Sequence, residues 1–366
     1  MQGHDAGRTN HRPNADPPRA DVRVSWDIDL PGHWPPKHQP LAYDDLVLVP
    51  GRDLVAVARA DGTERFALDD TGQGLAVAAA GGYRTSTLVA GGSRVVAGLD
   101  ATGGVDAGLG ARIAERWRAG DDDGGLFGGG NAVRAGRTPI AADGVVYHAS
   151  PGGGVVARDA ASGRERWRAA SERGAKFFAV DEHLYVAERW TDVGAYDLST
   201  GERVWTHAGG DVVSHHTAGV AATDGTVFVN DGRGVTALDA SDGGVRWRTS
   251  DGERVDVQAS SGVPTVTDET VVLPGYNAVH GFDRGTGERA WKRALDATEP
   301  WHVAAAGDLA FVPTEGGALV ALQAATGRTA WEFSRPGAWD PGPPVVADGC
   351  AYVAFGEELL RLEGSR

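Results

Sequence analysis

The sequence predicts an all-β fold: an eight-bladed β-propeller of four-stranded antiparallel blades, with the ring closed by the N-terminal strand. Three observations carry this reading. A block with a period of about 40 residues recurs through the chain. Asp-Gly hairpin signals fall between its short apolar strands. The two ends of the chain complement each other, because one lone strand at the start matches a three-stranded remainder at the end.

The recurring block is clearest from Val155 to Trp167: an apolar strand, an Asp159-x-x-x-Gly163 turn, and a second strand carrying Trp167. Further copies place Asp197, Gly201 and Trp205, then Asp239, Gly243 and Trp247, then Asp283, Gly287 and Trp291. The last copy has Gln323 in the Asp position, followed by Gly327 and Trp331. Glycine permits positive φ at the turn, and the Asp carboxylate can accept backbone N–H groups within it. Tryptophan on an outer strand can bury its rings between blades, contributing on the order of a few kcal/mol. These repeated residues are expected to be structural, not catalytic.

In chain order, residues 1–20 lack apolar periodicity and are expected to be disordered or pinned along a surface. Residues 21–366 read as one domain. Asp21–Leu30 alternates polar and apolar residues and carries Trp26, which predicts a single strand. Residues 38–69 form a worn first repeat with Phe66 in the Trp position. The stretch 74–137 is the most degenerate: strands are expected at 75–80, 87–90 and 95–100, with the closing strand at 112–118 around Trp117. Asp143-Gly144, Asp224-Gly225, Gly307-Asp308 and Asp348-Gly349 mark later hairpins. Closing aromatics at Phe66, Trp117, Trp167, Trp205, Trp247, Trp291 and Trp331 give seven blades. Residues 343–362 supply three strands of an eighth, and residues 21–30 supply its fourth, which removes exposed sheet edges. Seven blades is the fallback if 74–137 is not a full blade.

The motif Ala-x-Asp-x-x-Thr-Gly-x-x-x-Trp resembles the pyrroloquinoline quinone (PQQ) repeat family, well over residues 138–362 and weakly over 21–137. The resemblance implies one of two kinds of protein. One is the quinoprotein alcohol and sugar dehydrogenases, which hold PQQ and Ca²⁺ in the propeller funnel. The other is a non-catalytic group similar to the bacterial outer-membrane assembly lipoprotein and to small propellers of salt-loving archaea. The dehydrogenases of that family are longer, and many use an adjacent-cysteine disulfide over the cofactor. Cys350 is the only cysteine here, so that feature cannot form. Ca²⁺ also needs about six to eight oxygen ligands, and no compact Glu, Asn and Asp set stands on the expected loops. No cofactor is expected, with PQQ and calcium retained only under the enzyme alternative. The sequence leaves the enzyme question open and favours a non-catalytic scaffold.

Where the repeats disagree, a binding site is still expected. The residues just before each innermost strand ring one mouth of the channel: Lys37, His38, Gln73, Arg137, Lys176, His215, His216, Ser260, Trp301, His302 and Asp340. Two of the three lysines and four of the eleven histidines fall in this ring. Such a cationic rim on an anionic body would focus a small anionic ligand or an acidic segment of a protein partner. Neighbouring His215 and His216 point to opposite faces of an extended chain, which argues against a shared metal. Asp121-Asp122-Asp123 lacks the alternate spacing of a calcium loop and reads as a solvated acidic loop.

Composition limits the remaining choices. The net charge of −15 and the absence of a basic stripe exclude nucleic acid as an expected partner. No apolar run is long enough to span a bilayer, and a monomer is expected. Residues 1–20 lack the apolar core of an export signal, which reads as cytoplasmic; a displaced start site would make the chain extracytoplasmic or cell-surface. Lysine is scarce beside 35 total basic residues, and aspartate is abundant, a balance similar to that of halophilic proteins. Self-repulsion of the surplus carboxylates should be screened by salt. The thermal midpoint is therefore expected to rise as KCl is raised from dilute buffer to the molar range, and a maximum in dilute buffer would refute the halophilic reading.

Overall fold

The computed structural model describes residues 5–30, 39–51, 53–68, 74–91, 95–100, 115–120, 139–150, 153–170, 175, 177–188, 192–209, 219–230, 234–249, 255, 262–275, 277–295, 302–335 and 337–364. These form eight four-stranded antiparallel blades. Blade 1 comprises Leu41–Tyr43, Leu46–Val49, Leu54–Ala58 and Glu64–Leu68. Blade 2 comprises Gly74–Ala78, Thr87–Gly91, Val95–Asp100 and Glu115–Gly120. Blade 3 comprises Ile140–Ala142, Val145–Ala149, Val155–Asp159 and Glu165–Ala169. Blade 4 comprises Phe177–Val180, Leu184–Ala187, Val193–Tyr196 and Arg203–His207. Blade 5 comprises Val220–Thr223, Thr226–Asn230, Val235–Asp239 and Val245–Arg248. Blade 6 comprises Thr265–Val266, Thr270–Gly275, Ala278–Asp283 and Arg289–Ala294. Blade 7 comprises Ala304–Ala306, Leu309–Thr314, Ala318–Gln323 and Thr329–Ser334. Blade 8 comprises Val345–Ala347, Cys350–Phe355, Glu358–Gly364 and the N-terminal strand Val22–Asp29.

The degenerate stretch is thus a full blade, and the count is eight. Its closing strand lies slightly later than expected but carries Trp117 as anticipated. The orphan strand pairs antiparallel with the last strand of the chain, with Val24 opposite Leu362 and Ile28 opposite Leu359. Its half-buried and exposed residues alternate along the strand, as one covered face requires.

The ring is held by eight apolar clusters, each spanning a neighbouring pair of blades. One of them joins Val47, Val49 and Val57 of blade 1 to Tyr352, Ala354 and Leu359 of blade 8 and closes the circle. The middle strands are buried on both faces and read as continuous apolar runs, such as Leu184–Ala187. Hairpin turns fit their residues: Asp143 and Gly144, and likewise Asp224 and Gly225, have positive φ at both central positions, as a two-residue type I′ loop demands.

The repeat motif now acquires a mechanism. Tyr147, Ala157 and Trp167 lie directly opposite one another on three adjacent strands. Blade 4 repeats the row as Tyr185, Ala195 and Trp205, and blade 5 as Phe228, Ala237 and Trp247. The small central residue lets the two rings meet across it, with centroids 5.8, 5.8 and 6.0 Å apart. The motif alanine is therefore a spacer between aromatics. A register shift beside each of these tryptophans bends the outer strand, and such bulges re-aim a side chain.

The indole is aimed at the next blade. Trp167 Nε1 donates to Leu198 O at 2.9 Å, inside the Asp197–Gly201 turn of blade 4. Its ring lies against Gly201, where φ is +73° and an added Cβ would sit 2.5 Å from Trp167 Cε3. The same donation links Trp117 to Ala160, Trp205 to Ala240, Trp247 to Arg284 and Trp291 to Ala324. Gly201→Ala combines left-handed strain with ring overlap and is expected to cost about 2–4 kcal/mol, against about 1 kcal/mol for Trp167→Phe, which loses only the N–H donor. Denaturant midpoints check the order; equal costs would refute it.

Candidate functional site

Each motif aspartate is consumed by its own turn. Asp159 Oδ1 accepts the N–H groups of Ala161 and Ser162 at 3.2 and 2.9 Å, and Arg166 donates to Oδ2 at 2.7 Å. Arg166 is the largest influence holding the Asp159 carboxyl down at about 2, with Ser162 adding to it. Asp197 is likewise held near 2 by Ser199 and Thr200, and Asp239 lower still by Ser241 and Arg246. Because the folded-state pKa lies below the unfolded value of about 3.9, this stabilisation is complete above that pH and disappears as pH falls through about 2. Replacing Asp159 with Asn should therefore flatten the loss of stability between about pH 4 and 2, read by acid titration of the denaturation midpoint.

The channel is lined by the first strand of each blade; those of blades 2 to 5, and those of blades 8 and 1, pack side by side. They begin at one mouth and end at the other. The residues expected to form a binding rim precede these strands in the sequence. Of its residues, Lys37, His38, Gln73, Arg137, Lys176, His215, His216, Ser260 and Trp301 lie outside the described residues. His302 is half-buried, just ahead of the first strand of blade 7. Asp340 is exposed, and its Oδ1 accepts the Gly316 N–H at 2.8 Å, tying the loop into blade 8 to the hairpin of blade 7. Beside it Trp339 is 62% exposed. Arg335 anchors the same loop through Asp27 Oδ2 at 2.8 Å and Glu358 Oε2 at 2.7 Å.

The opposite mouth holds a feature that the sequence reading did not place. Residues 5–12, within the segment expected to be disordered or surface-pinned, run around the channel wall. Backbone N–H groups of Val180, Ala222, Val266 and Ala305 donate to the carbonyls of Ala6, Gly7, Thr9 and Asn10 at 2.7, 2.7, 2.8 and 2.8 Å. The donors sit on the first strands of blades 4, 5, 6 and 7 in turn. His11 and Arg12 then pair in parallel with Ala305 and Ala306. Arg8, Asn10 and His11 are buried. Burial pulls the Arg8 guanidinium down to about 10 against the pull of Asp5, while burial raises Asp5. A cavity of about 270 Å³ opens beside this segment, lined by Asp5, His11, Asp181, Asp224, Asp268 and Arg284 among others. Arg284 is committed to Asp224, at 2.5 Å.

Buried polar groups elsewhere tie strands together within single blades. Glu188 accepts Tyr196 OH at 2.9 Å and Arg203 Nη2 at 3.0 Å. Arg158 Nε donates to His148 Nε2 at 3.0 Å, and burial holds His148 down at about 4. Among the described residues, no three His, Cys, Asp or Glu side chains come together as a metal cage. No helix among them is long and apolar enough to cross a membrane.

Eight antiparallel blades, locked turn to indole, define a PQQ-like repeat β-propeller. The family described as "Outer membrane protein assembly factor BamB" matches residues 20–182, 189–332 and 275–364, and the chain belongs to it. It is 28% identical over 232 residues to the serine/threonine-protein kinase AfsK of Streptomyces coelicolor, covering 60% of this chain and 28% of the kinase. It is 34% identical over 135 residues to the quinohemoprotein alcohol dehydrogenase of Comamonas testosteroni, covering 31% of this chain and 18% of that one. The chain thus spans less than a third of either protein's length. Among solved structures, BamB from Moraxella catarrhalis has a TM-score of 0.67 at 16% identity, covering 95% of this chain and 99% of that one. The Comamonas testosteroni dehydrogenase has a TM-score of 0.70 at 15% identity, covering 99% of this chain and 80% of that one. These structural likenesses establish the fold.

Proposed function

We propose that this protein is a non-catalytic propeller that binds a protein partner or a small anionic ligand through its channel mouth and blade loops, as a monomer and without a cofactor. The observation that carries the reading is family membership: the family described as "Outer membrane protein assembly factor BamB" matches residues 20–182, 189–332 and 275–364. The repeated Asp, Gly and Trp of each blade are used up in turns and blade contacts, which leaves the loops that differ between blades to recognise a partner. The rim residues Lys37, His38, Arg137, Lys176, His215, His216 and His302 supply cationic and titratable groups on an acidic body, a pattern suited to carboxylate or phosphate ligands.

A PQQ-dependent oxidoreductase is the second reading, favoured by the 34% identity to the quinohemoprotein alcohol dehydrogenase. Adding PQQ and Ca²⁺ to the purified chain, then offering alcohols or sugars with a redox dye, separates the two. The expected result is no saturable change in quinone absorbance and no dye reduction; turnover would overturn the non-catalytic reading. The rim is tested by combining Lys176→Ala, His215→Ala and His302→Ala. Affinity for a fluorescent acidic peptide or for inorganic phosphate should fall at least ten-fold, and unchanged affinity for both removes the rim from the proposal.

A further inference from the structure

We propose that the channel wall of blades 4 to 8 is a receptor for an extended, arginine-bearing peptide of a partner protein, and that the chain's own residues 5–12 occupy it in the resting state. The proposal deepens the partner-binding reading above, but assigns the contact to the inner wall instead of the cationic rim.

The wall reads backbone. Innermost strands present one edge to the channel, and an exposed edge is a template for an added extended segment. Here four successive blades each give one N–H group to a carbonyl of the segment, and Gly307 N adds a fifth bond, to Arg12 O at 3.0 Å. Bonds of this kind supply affinity for any chain of suitable shape, so the wall is not committed to one sequence.

Shape supplies the selectivity. Gly7 passes so close to blade 5 that a Cβ there would lie 2.0 Å from Ala222 O. Only glycine fits at that step. The next residue, Arg8, turns its backbone to φ +54° and is 1% exposed, and Asn10 repeats the left-handed turn at φ +55°. Two such turns bend the segment around the ring. Asp5 Oδ1 accepts the Thr9 N–H at 2.9 Å and braces the first bend. Arg12 Nη1 reaches Val346 O of blade 8 at 2.7 Å. Asp181 and Asp268 face the cavity beside the segment together with the Arg284–Asp224 pair, and this net acidic lining favours a basic occupant. The matching ligand is a small-residue segment with a Gly-Arg step.

The occupant can leave without opening the ring. Two left-handed non-glycine residues are strained, and no large apolar side chain anchors residues 5–12. Pro13, Asn14 and Asp16 are exposed, whereas Pro17 and Pro18 are buried. The seam is held beyond that hinge: Trp331 Nε1 donates to Pro18 O at 2.7 Å, and the strand Val22–Asp29 has its own ladder to Glu358–Gly364.

The test uses the full chain with a site-specific protease sequence inserted between Asn14 and Ala15 and cut after folding. A fluorescein-labelled synthetic peptide of residues 5–13 is then titrated in and followed by anisotropy, with circular dichroism confirming the fold. Saturable binding to the cut chain is expected, at least ten-fold tighter than to the uncut chain. Peptides carrying Gly7→Val or Arg8→Ala should bind at least ten-fold more weakly. Equal binding of the wild-type and Gly7→Val peptides overturns the proposal. So does a cut fragment that stays in place and bars the peptide, since that would make it a structural staple. The Lys176→Ala, His215→Ala, His302→Ala rim variant should exchange peptide normally, so failure of the rim and failure of the wall are read separately.

Discussion

One contact organises the ring: a tryptophan indole laid on the glycine of the next blade's turn, with its N–H given to a carbonyl in that turn. Burial of the ring supplies area, and the hydrogen bond supplies direction. Because Trp167 Nε1 can reach Leu198 O only at one separation and rotation, the contact sets the angle between blades as well as their affinity. Repeating that angle closes a circle instead of an open spiral. The rest of the motif follows from the same need. The turn residue must be glycine, because Gly201 is left-handed and a Cβ there would meet the ring. The aspartate holds the turn from inside, and the facing residue is small in blades 3 to 5, as Ala195 is between Tyr185 and Trp205.

The seam between first and last blades shows how strict the contact is. Blade 8 has no turn between its third and fourth strands, because its fourth strand is the start of the chain. Trp331 therefore has no turn carbonyl ahead of it, and Pro18 O takes that role at 2.7 Å. Trp26 in turn donates to Arg59 O of blade 1 at 3.2 Å, and its ring meets Gly62. In blade 8 the spacer between Tyr352 and Trp26 is Arg361 instead of a small residue. The indole contact thus persists at the one place where covalent continuity fails.

Most of the fold was legible because this contact is made of side chains. Asp, Gly and Trp at fixed spacing leave a signature, and even the degenerate second blade kept Trp117 to mark its outer strand. The reason for the motif alanine was not legible, since a cross-strand neighbour is fixed by register and not by spacing. The channel segment was hidden for a different cause. Its grip is backbone to backbone, and a carbonyl carries no residue identity. Only Gly7 is demanded by the wall, and one glycine among 54 draws no notice. The rim was read from position within the repeat; of its described members, Asp340 braces a loop and His302 lies half-buried at the strand entrance.

The two ends of the channel therefore differ in kind. At one mouth, the described residues include half-buried His302 and the loop that Asp340 braces. At the other, the wall offers the invariant part of every blade, its innermost backbone edge. A closed propeller hides the outer edges of its sheets less completely than a barrel does, and its inner edges face the channel, where residues 6–12 bond to them. An extended segment with a glycine at the tightest step satisfies those edges without disturbing the blades. The segment that does so here is continuous with the strand that closes the ring. Pro17 and Pro18 separate the two tasks: residues 6–12 answer to the channel, whereas Pro18 itself answers to Trp331 and Val22–Asp29 to the seam.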